Sequence, residues 1–191
     1  MIRTSINFYA MNIKVIIADS SHANIVASIG RQAFRSAFGH LFNDKEELRE
    51  YLDYTYHPDK IAKSIEKENN IFFLAFVENV PVGFAKVKKY SLNEQIESIA
   101  QMELQKIYVL PYYHGSGAGA ALMQEVLDLA NKNQPDFLWL DTYINNAKAI
   151  RFYEKHGFKR TGRHYFMIGT QTFEYHLMSL PIAVMQPCGC D

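Results

Sequence analysis

The chain has 191 residues, 48% of them hydrophobic and 21% charged, which is typical of a globular domain and not of a disordered or fibrous chain. Its formal net charge is zero, so composition gives no electrostatic reason to expect nucleic acid or an anionic membrane as a partner. No apolar run approaches the roughly 20 residues that span a bilayer, and we expect a cytoplasmic protein.

Two terminal segments lie outside the predicted domain. Residues 1–11 contain a broken apolar stretch that does not match a signal peptide, and Met11 is as good a start as Met1. Residues 181–191 contain Cys188 and Cys190, but no second pair of ligands accompanies this Cys-x-Cys pair. We therefore predict a disordered tail and no metal site, since the histidines also lack ligand spacing.

The first half of the sequence combines a strand, helices and a hairpin. Residues 12–17 form a predicted strand, and a helix with one apolar face follows. Asp44 begins a second helix, and Pro58 opens a short third helix at its first turn. The apolar run 71–77 and the segment 82–89 are separated by a turn and predict a hairpin.

The second half predicts one crossover followed by a hairpin. A polar loop at 91–101 leads to a strand at 102–110, a helix at 117–131 and a buried strand at 137–143. A helix at 146–156 and strands at 158–168 and 172–180 complete the order. Antiparallel strands, one β-α-β crossover and a final hairpin indicate a mixed α/β domain around a single sheet.

A glycine-rich turn follows the strand at 102–110. The turn opens the next helix with His114, Gly115, Ser116, Gly117, Ala118 and Gly119. Helix N-termini carry free N–H groups and a partial positive charge, and glycine lets the backbone approach a ligand closely. The turn therefore predicts a phosphate-binding site for a nucleotide or CoA, with a helix start that binds nothing as the alternative.

Two other phosphate-binding patterns fit this turn less well. A P-loop needs Gly-Lys-Ser/Thr at its end, and no lysine is present. A dinucleotide fingerprint would use Gly115, Gly117 and Ala120, with Asp141 about 20 residues on as the ribose-binding acid. However, the turn is lengthened, and too little chain follows Tyr143 for a second βαβ half.

A second motif lies in the helix at 146–156. Residues 146–158 read Asn-Ala-Lys-Ala-Ile-Arg-Phe-Tyr-Glu-Lys-His-Gly-Phe and resemble the GNAT acetyltransferase pattern N-x-x-A-x-x-F/L-Y-x-x-x-G-F. The glycine turn resembles the Q/R-x-x-G-x-G/A signature of the same family, with His114 in the Gln/Arg position. The resemblance covers residues 12–180. It implies the single-domain GNAT fold, an α/β structure with a mixed, mostly antiparallel seven-stranded sheet and four to five helices.

The family resemblance also implies acetyl-CoA as the donor. Backbone groups of Ile107 and Val109 are expected to pair with pantetheine, and an N–H near Tyr108 to polarise the thioester carbonyl. Asn146 and Lys155 are expected to contact the cofactor together with the glycine turn. The alternative for Ile107 and Val109 is ordinary core packing. The alternative for Asn146 is a helix N-cap, and the alternative for Lys155 is a solvated surface lysine.

Two residues are predicted to move protons. Tyr153 occupies the tyrosine position of the motif and can protonate the departing thiolate as a general acid, although its ring may only anchor the core. Polyamine acetyltransferases of this type often carry a glutamate where this chain has Gln105. Glu103 lies two residues away on the same strand face and is the predicted general base. A water relay or binding of the minor neutral amine stays open.

A narrower resemblance concerns the acceptor. The hairpin at 81–87, the strand at 104–109, Trp139-Leu140 and the segment 161–169 are similar to PaiA-type spermine/spermidine acetyltransferases. This implies a polyamine or small diamine acceptor, with a peptide or protein amine as one alternative and a non-catalytic CoA-binding regulatory module as another. The apolar final hairpin and the family resemblance also suggest a homodimer.

Overall fold

The computed structural model describes residues 12–182, so the proposals about Met1, Met11, Cys188 and Cys190 lie outside the described residues. The strands are β1 Ile13–Ile17, β2 Asn70–Val77, β3 Val80–Lys88, β4 Gln101–Val109, β5 Phe137–Tyr143, β6 Lys159–Ile168 and β7 Gln171–Pro181. The α-helices are α1 Ala23–Phe38, α2 Lys45–Thr55, α3 Pro58–Ile65, α4 Ala118–Asn133 and α5 Ala147–Lys155. The element order predicted from the sequence is confirmed.

All seven strands form one sheet in the order β1-β2-β3-β4-β5-β7-β6. The strands β4 and β5 form the single parallel pair in the described chain, and α4 makes the crossover between them. The other neighbours are antiparallel. The predicted mixed, mostly antiparallel sheet is therefore confirmed.

Local sequence signals account for several element boundaries. The side chain of Asp44 accepts a hydrogen bond from the N–H of Glu46 at 2.7 Å and caps α2. Glu78 and Asn79 both have positive φ angles and form the two-residue turn between β2 and β3. Positive φ at both central residues is the conformation that joins tight antiparallel strands.

The sheet separates two apolar clusters. On one face, α4 and α5 pack against a core that includes Leu104, Leu138, Leu140 and Tyr153. On the other face, α1, α2 and α3 pack against a cluster rich in aromatic side chains, which includes Phe34, Tyr56, Phe72, Phe84 and Phe173. We call these the donor face and the acceptor face, respectively.

The loop at 91–100 is tied to the sheet, whereas the sequence indicated only a polar loop or a variable insertion. The indole N–H of Trp139 donates to the carbonyl of Ser91 at 2.8 Å. The side-chain amide of Gln101 donates to the carbonyl of Ser98 at 2.6 Å, and Ile96 is buried against Trp139. The loop therefore closes one end of the acceptor face.

Candidate active site

An opening between β4 and β5 forms the centre of the candidate site. These strands share register only over Gln101–Glu103 and Phe137–Trp139, although β4 continues to Val109 and β5 to Tyr143. Beyond the paired residues, β5 stays paired with β7 over its full length. The unpaired halves of β4 and β5 line a cavity of about 1410 Å³ that reaches both faces of the sheet.

The glycine turn lies at the donor end of this cavity. Gly115 and Gly117 have φ angles of 88° and 97°, a conformation that favours glycine. Gly117 is the N-cap of α4, so the N–H groups of the first turn of this helix face the cavity end. The hydroxyl of Ser116 accepts from the N–H of Ala118 at 3.3 Å. This arrangement fits the phosphate site predicted from the sequence.

His114 is joined to a cation that the sequence did not assign to the site. Nζ of Lys148, on α5, lies 2.8 Å from Nδ1 of His114. The other ring nitrogen, Nε2, lies 3.0 Å from the carbonyl oxygen of Val109. The position that holds Gln or Arg in the family signature is thus occupied by an imidazole with an ammonium group beside it. The imidazole also holds one of the backbone acceptors expected to pair with pantetheine.

The strand residues expected to contact the cofactor divide between the two faces. Ile107 and Val109 pack against the core of the donor face. Tyr108 packs on the acceptor face, with its ring centroid 5.8 Å from that of Phe84. All three residues line the opening, and the pairing of their backbone groups with a cofactor stays a prediction.

Tyr153 lies on the donor face and lines the cavity. Its ring packs edge-on against Phe152 and Phe158, which holds the phenol in position. Burial raises the pKa of the Tyr153 phenol above its usual value, so the group stays protonated at neutral pH. The ring is therefore anchored in the core, as the simpler alternative expected, and the role of Tyr153 as a proton donor stays a prediction.

Asn146 and Lys155 flank the same helix. Oδ1 of Asn146 accepts from the N–H of Ala149 at 3.2 Å and caps α5, so the simpler alternative for this residue is present. Both residues also line the cavity. Their contact with a cofactor stays a prediction.

Glu103, the predicted base, is buried on the acceptor face and engaged by two donors. Nζ of Lys88 lies 2.8 Å from its Oε2. The hydroxyl of Ser91 donates to the same oxygen at 2.7 Å. These contacts fix the carboxylate and occupy one of its two oxygens.

A β-bulge changes the relation between Glu103 and Gln105. Lys86 opposes Lys106 and Val87 opposes Leu104, so Gln105 is the extra residue of β4. Strict alternation, from which the sequence predicted that Glu103 and position 105 share a face, is broken at this point. This premise was wrong because register depends on the partner strand, and Glu103 instead shares the acceptor face with Lys106.

A second carboxylate, Asp141 on β5, lines the unpaired half of the opening. Nδ1 of His164 lies 3.1 Å from its Oδ1, but not in a hydrogen-bonding direction. Among residues 12–182, this buried oxygen has no hydrogen-bond partner. Burial, and secondarily the charge of Glu103, raises the pKa of Asp141 to about 7. Asp141 can therefore exchange a proton near neutral pH.

Two lysines on the acceptor face also line the cavity. Lys86 and Lys106 are directly opposite each other on β3 and β4. Burial, with the neighbouring charges, lowers the pKa of each ammonium group to about 8. In the described range, neither forms an ion pair with a carboxylate. The acceptor face therefore carries cations as well as carboxylates.

The sequence did not identify Asp141, Lys86, Lys106 and Lys148 as residues of this site. It considered Asp141 only as a ribose-binding acid of a dinucleotide fold. The single available signal was the alternation of β5, which places Asp141 on the same face as Trp139 and Tyr143.

Two negative findings concern the described residues. Within 12–182, no cluster of three or more His, Cys, Asp or Glu side chains has the geometry to hold a metal ion. In the same range, no helix combines the length and apolar character that a membrane span needs.

Comparison with family models places residues 31–158 in a family described as Acetyltransferase (GNAT) family. An uncharacterised N-acetyltransferase of Lactobacillus delbrueckii subsp. lactis is 23% identical, over 82% of this chain and 90% of its own length. The [ribosomal protein bS18]-alanine N-acetyltransferase of Escherichia coli K12 is 34% identical, over 52% of this chain and 67% of its own length.

Solved structures share the fold. The PaiA N-acetyltransferase of Thermoplasma acidophilum, in complex with coenzyme A, superposes with a TM-score of 0.72 at 18% identity. The match covers 90% of this chain and all of that one. The ribosomal-protein-S18-alanine N-acetyltransferase of Escherichia coli has a TM-score of 0.66 at 20% identity, over 92% and 97% of the two chains. At these identities the likeness concerns the fold alone.

Proposed function

Because the chain belongs to the acetyltransferase (GNAT) family, we propose that it transfers the acetyl group of acetyl-CoA to a primary amine. The observation that carries this proposal is the opening between β4 and β5. A protonated phenol lies on one face, and a carboxylate oxygen without a hydrogen-bond partner in the described part of the chain lies on the other. The opening therefore lets two substrates meet with a proton donor and a proton acceptor at the junction.

The glycine turn and the unpaired edge of β4 fit acetyl-CoA, which supplies an acetyl group activated as a thioester. The free N–H groups of α4 would hold the pyrophosphate, and Lys148 would add a cation beside His114. The backbone of Ile107 and Tyr108 would contact the pantetheine and the thioester carbonyl. The fit rests on the positive φ angles of Gly115 and Gly117 and on the splay of β4 from β5.

Tyr153 is the proposed general acid. The acceptor nitrogen forms a bond to the thioester carbonyl carbon, and the carbon–sulfur bond breaks. The sulfur then takes the phenolic proton of Tyr153, while the acceptor nitrogen loses a proton to a base. The raised phenol pKa keeps this proton in place before the reaction, so the phenol can donate a hydrogen bond to the sulfur as negative charge develops on it.

Asp141 is the proposed base, in place of Glu103. Only about one part in 10³ of an ordinary alkylamine is neutral at pH 7, so the reaction benefits from a group that removes a proton near the nucleophile. Oε2 of Glu103 is engaged by Lys88 and Ser91, whereas Oδ1 of Asp141 has no hydrogen-bond partner within residues 12–182. Glu103 then acts on Asp141 through its charge, which favours the protonated acid.

The identity of the amine is a separate proposal. The polyamine or diamine expected from the sequence must enter a cavity that already holds Lys86 and Lys106, and their charges oppose a polycation. A peptide amine is the second candidate, since the 34% identical relative is named for an alanine of a ribosomal protein. We therefore propose a primary amine of low positive charge.

Thiol release from acetyl-CoA tests the proposal. The purified chain is assayed with spermidine, 1,4-diaminobutane, amino acids and a peptide with a free N-terminal alanine. Acetylation of any amine, verified by mass spectrometry, supports the transferase function. Binding of acetyl-CoA in calorimetry without turnover of any amine would instead favour the regulatory module.

A further inference from the structure

Two lysines without an ion pair among residues 12–182 lie opposite each other on the acceptor face. Lys86 and Lys106 are register partners on β3 and β4, so their Cβ atoms are neighbours on the same side of the sheet. Like charges placed directly opposite each other disfavour the folded state. Glu103, a carboxylate on this face, is already paired with Lys88. The pair of lysines therefore leaves excess positive charge inside the cavity.

Aromatic rings support the two ammonium groups without neutralising them. Nζ of Lys86 lies 5.4 Å from the ring centroid of Phe72. Nζ of Lys106 lies 5.7 Å from that of Tyr56. Such contacts orient a cation over a ring but leave its charge uncompensated. The lysines are thus held inside the cavity and are able to bind an anion.

The positive charge continues to the surface on the same side. A second depression of about 1000 Å³ shares Lys60, Lys86 and Lys88 with the cavity. It is further lined by Lys63, Lys67, Asp53 and Asp59. Asp53 forms an ion pair with Arg31, so it does little to offset the lysines. An anionic ligand is therefore attracted toward Lys86 and Lys106 from solution.

The position of the lysines relative to the opening sets the shape of the ligand. Lys86 is two residues along β3 from Lys88, about 7 Å of strand, and Lys88 pairs with Glu103 at the start of the opening. Asp141, the proposed base, lies on β5 beyond the residue that pairs with Glu103. A ligand that reaches both places presents its amine to β5 and its anionic group to β3 and β4.

We propose that the acceptor is a small amine that also carries an anionic group, a carboxylate or a phosphate. Lys86 and Lys106 bind the anion and thereby place the amine beside Asp141. This rests on the proposed transferase function and names the class of its second substrate. A small molecule is favoured over a peptide because the two lysines line the cavity itself.

A matched series of amines tests the selectivity. Thiol release from acetyl-CoA is measured with n-butylamine, 1,4-diaminobutane, 4-aminobutanoate and phosphoethanolamine. We expect kcat/KM for one of the two anionic amines to exceed those of butylamine and the diamine by about tenfold or more, the scale of one charge-assisted contact. Preference for 4-aminobutanoate or for phosphoethanolamine distinguishes carboxylate from phosphate. A preference for the diamine, or turnover of peptides alone, would overturn the proposal.

Variants connect this selectivity to the two lysines. In Lys86→Met and Lys106→Met, the ratio of kcat/KM for the anionic amine to kcat/KM for butylamine should fall about tenfold. Lys132→Met, on the exposed end of α4 and outside the cavity, serves as the matched control. Equal effects on the anionic and the neutral amine would show that the lysines do not bind the anion.

Binding of the acetylated product separates this proposal from the transferase function. Calorimetry measures the binding of 4-acetamidobutanoate and of N-acetyl phosphoethanolamine to the CoA-saturated chain. This measurement does not depend on any acetyl transfer. Binding that is lost in both lysine variants supports the anion site even if no amine is acetylated, in which case only the transferase function fails. Absence of binding to the wild-type chain, with acetylation of neutral amines intact, refutes the anion site alone.

Discussion

Lys86 and Lys106 face each other across β3 and β4 with no carboxylate paired to either among residues 12–182. Placing the two ammonium groups opposite each other lowers the free energy of unfolding, and this effect can be measured without any ligand. Burial lowers the pKa of both groups to about 8, and the charge of Lys106 adds to the effect at Lys86. An unfolded lysine has a pKa of about 10.4.

We expect the stability of the protein to rise between about pH 8 and pH 10.4, because the unfolded chain binds more protons than the folded chain in that window. Below pH 8 the cost is fully present. The double variant Lys86→Met/Lys106→Met should be more stable at pH 7 by about 1 kcal/mol, a thermal shift of about 2–4 °C. Thermal unfolding as a function of pH measures this, and Lys132→Met should follow the wild-type curve. Parallel curves for all three proteins would mean that the lysines are not repelled in the folded state.

The pH dependence of turnover should report Asp141. Because burial raises its pKa to about 7, the ionised base forms as the pH rises through that value, and kcat/KM should rise with it. Asp141→Asn should lower kcat about 100-fold or more and remove this limb of the profile. Steady-state assays from about pH 5.5 to about pH 9 measure both quantities.

Glu103→Gln distinguishes the two carboxylates. If Glu103 only repels the charge of Asp141, its replacement lowers the pKa of Asp141. The rise of kcat/KM with pH then occurs at lower pH, and kcat is largely retained. Loss of the limb together with kcat would instead assign the base to Glu103. Thermal unfolding serves as the folding control, since Glu103 also pairs with Lys88.

Tyr153→Phe tests the general acid. The ring contacts with Phe152 and Phe158 do not need the hydroxyl, so the variant should fold normally. We expect kcat to fall about 100-fold, with KM for acetyl-CoA unchanged within a factor of about three. Tyr112→Phe is the matched control because this tyrosine is 92% exposed. An unchanged kcat in Tyr153→Phe would leave the ring with a packing role only.

Lys148→Met tests the cation beside the glycine turn. The ammonium group lies 2.8 Å from His114, close to the predicted pyrophosphate site. Its loss should raise KM for acetyl-CoA about fivefold, corresponding to about 1 kcal/mol, and weaken the salt dependence of binding. Calorimetric titration with CoA at low and high ionic strength measures both quantities. Identical affinities in the variant and the wild type would place the phosphates away from Lys148.

Local signals in the sequence determined the fold and the donor half of the site. The alternation of strands, the N-cap at Asp44 and the Gly115–Gly119 turn each depend on neighbouring residues, so they can be interpreted without a structure. The motif around Tyr153 is equally local, and the helix that carries it is present as predicted. Contacts with a cofactor at these positions stay predictions.

Only the tertiary structure decided the charge and the partners of the acceptor half. Three contacts join side chains from different parts of the chain. They are the contacts of Asp141 with His164, of Lys148 with His114 and of Lys88 with Glu103. The bulge at Gln105 depends on the register with β3 and changes which residues share a face with Glu103. Burial and pairing set the proton affinity of a side chain, and both are properties of what surrounds it in space. The sequence by itself therefore determined the fold and predicted an acetyl-CoA site at the glycine turn, whereas the proposed preference for the amine depends on contacts that no local pattern encodes.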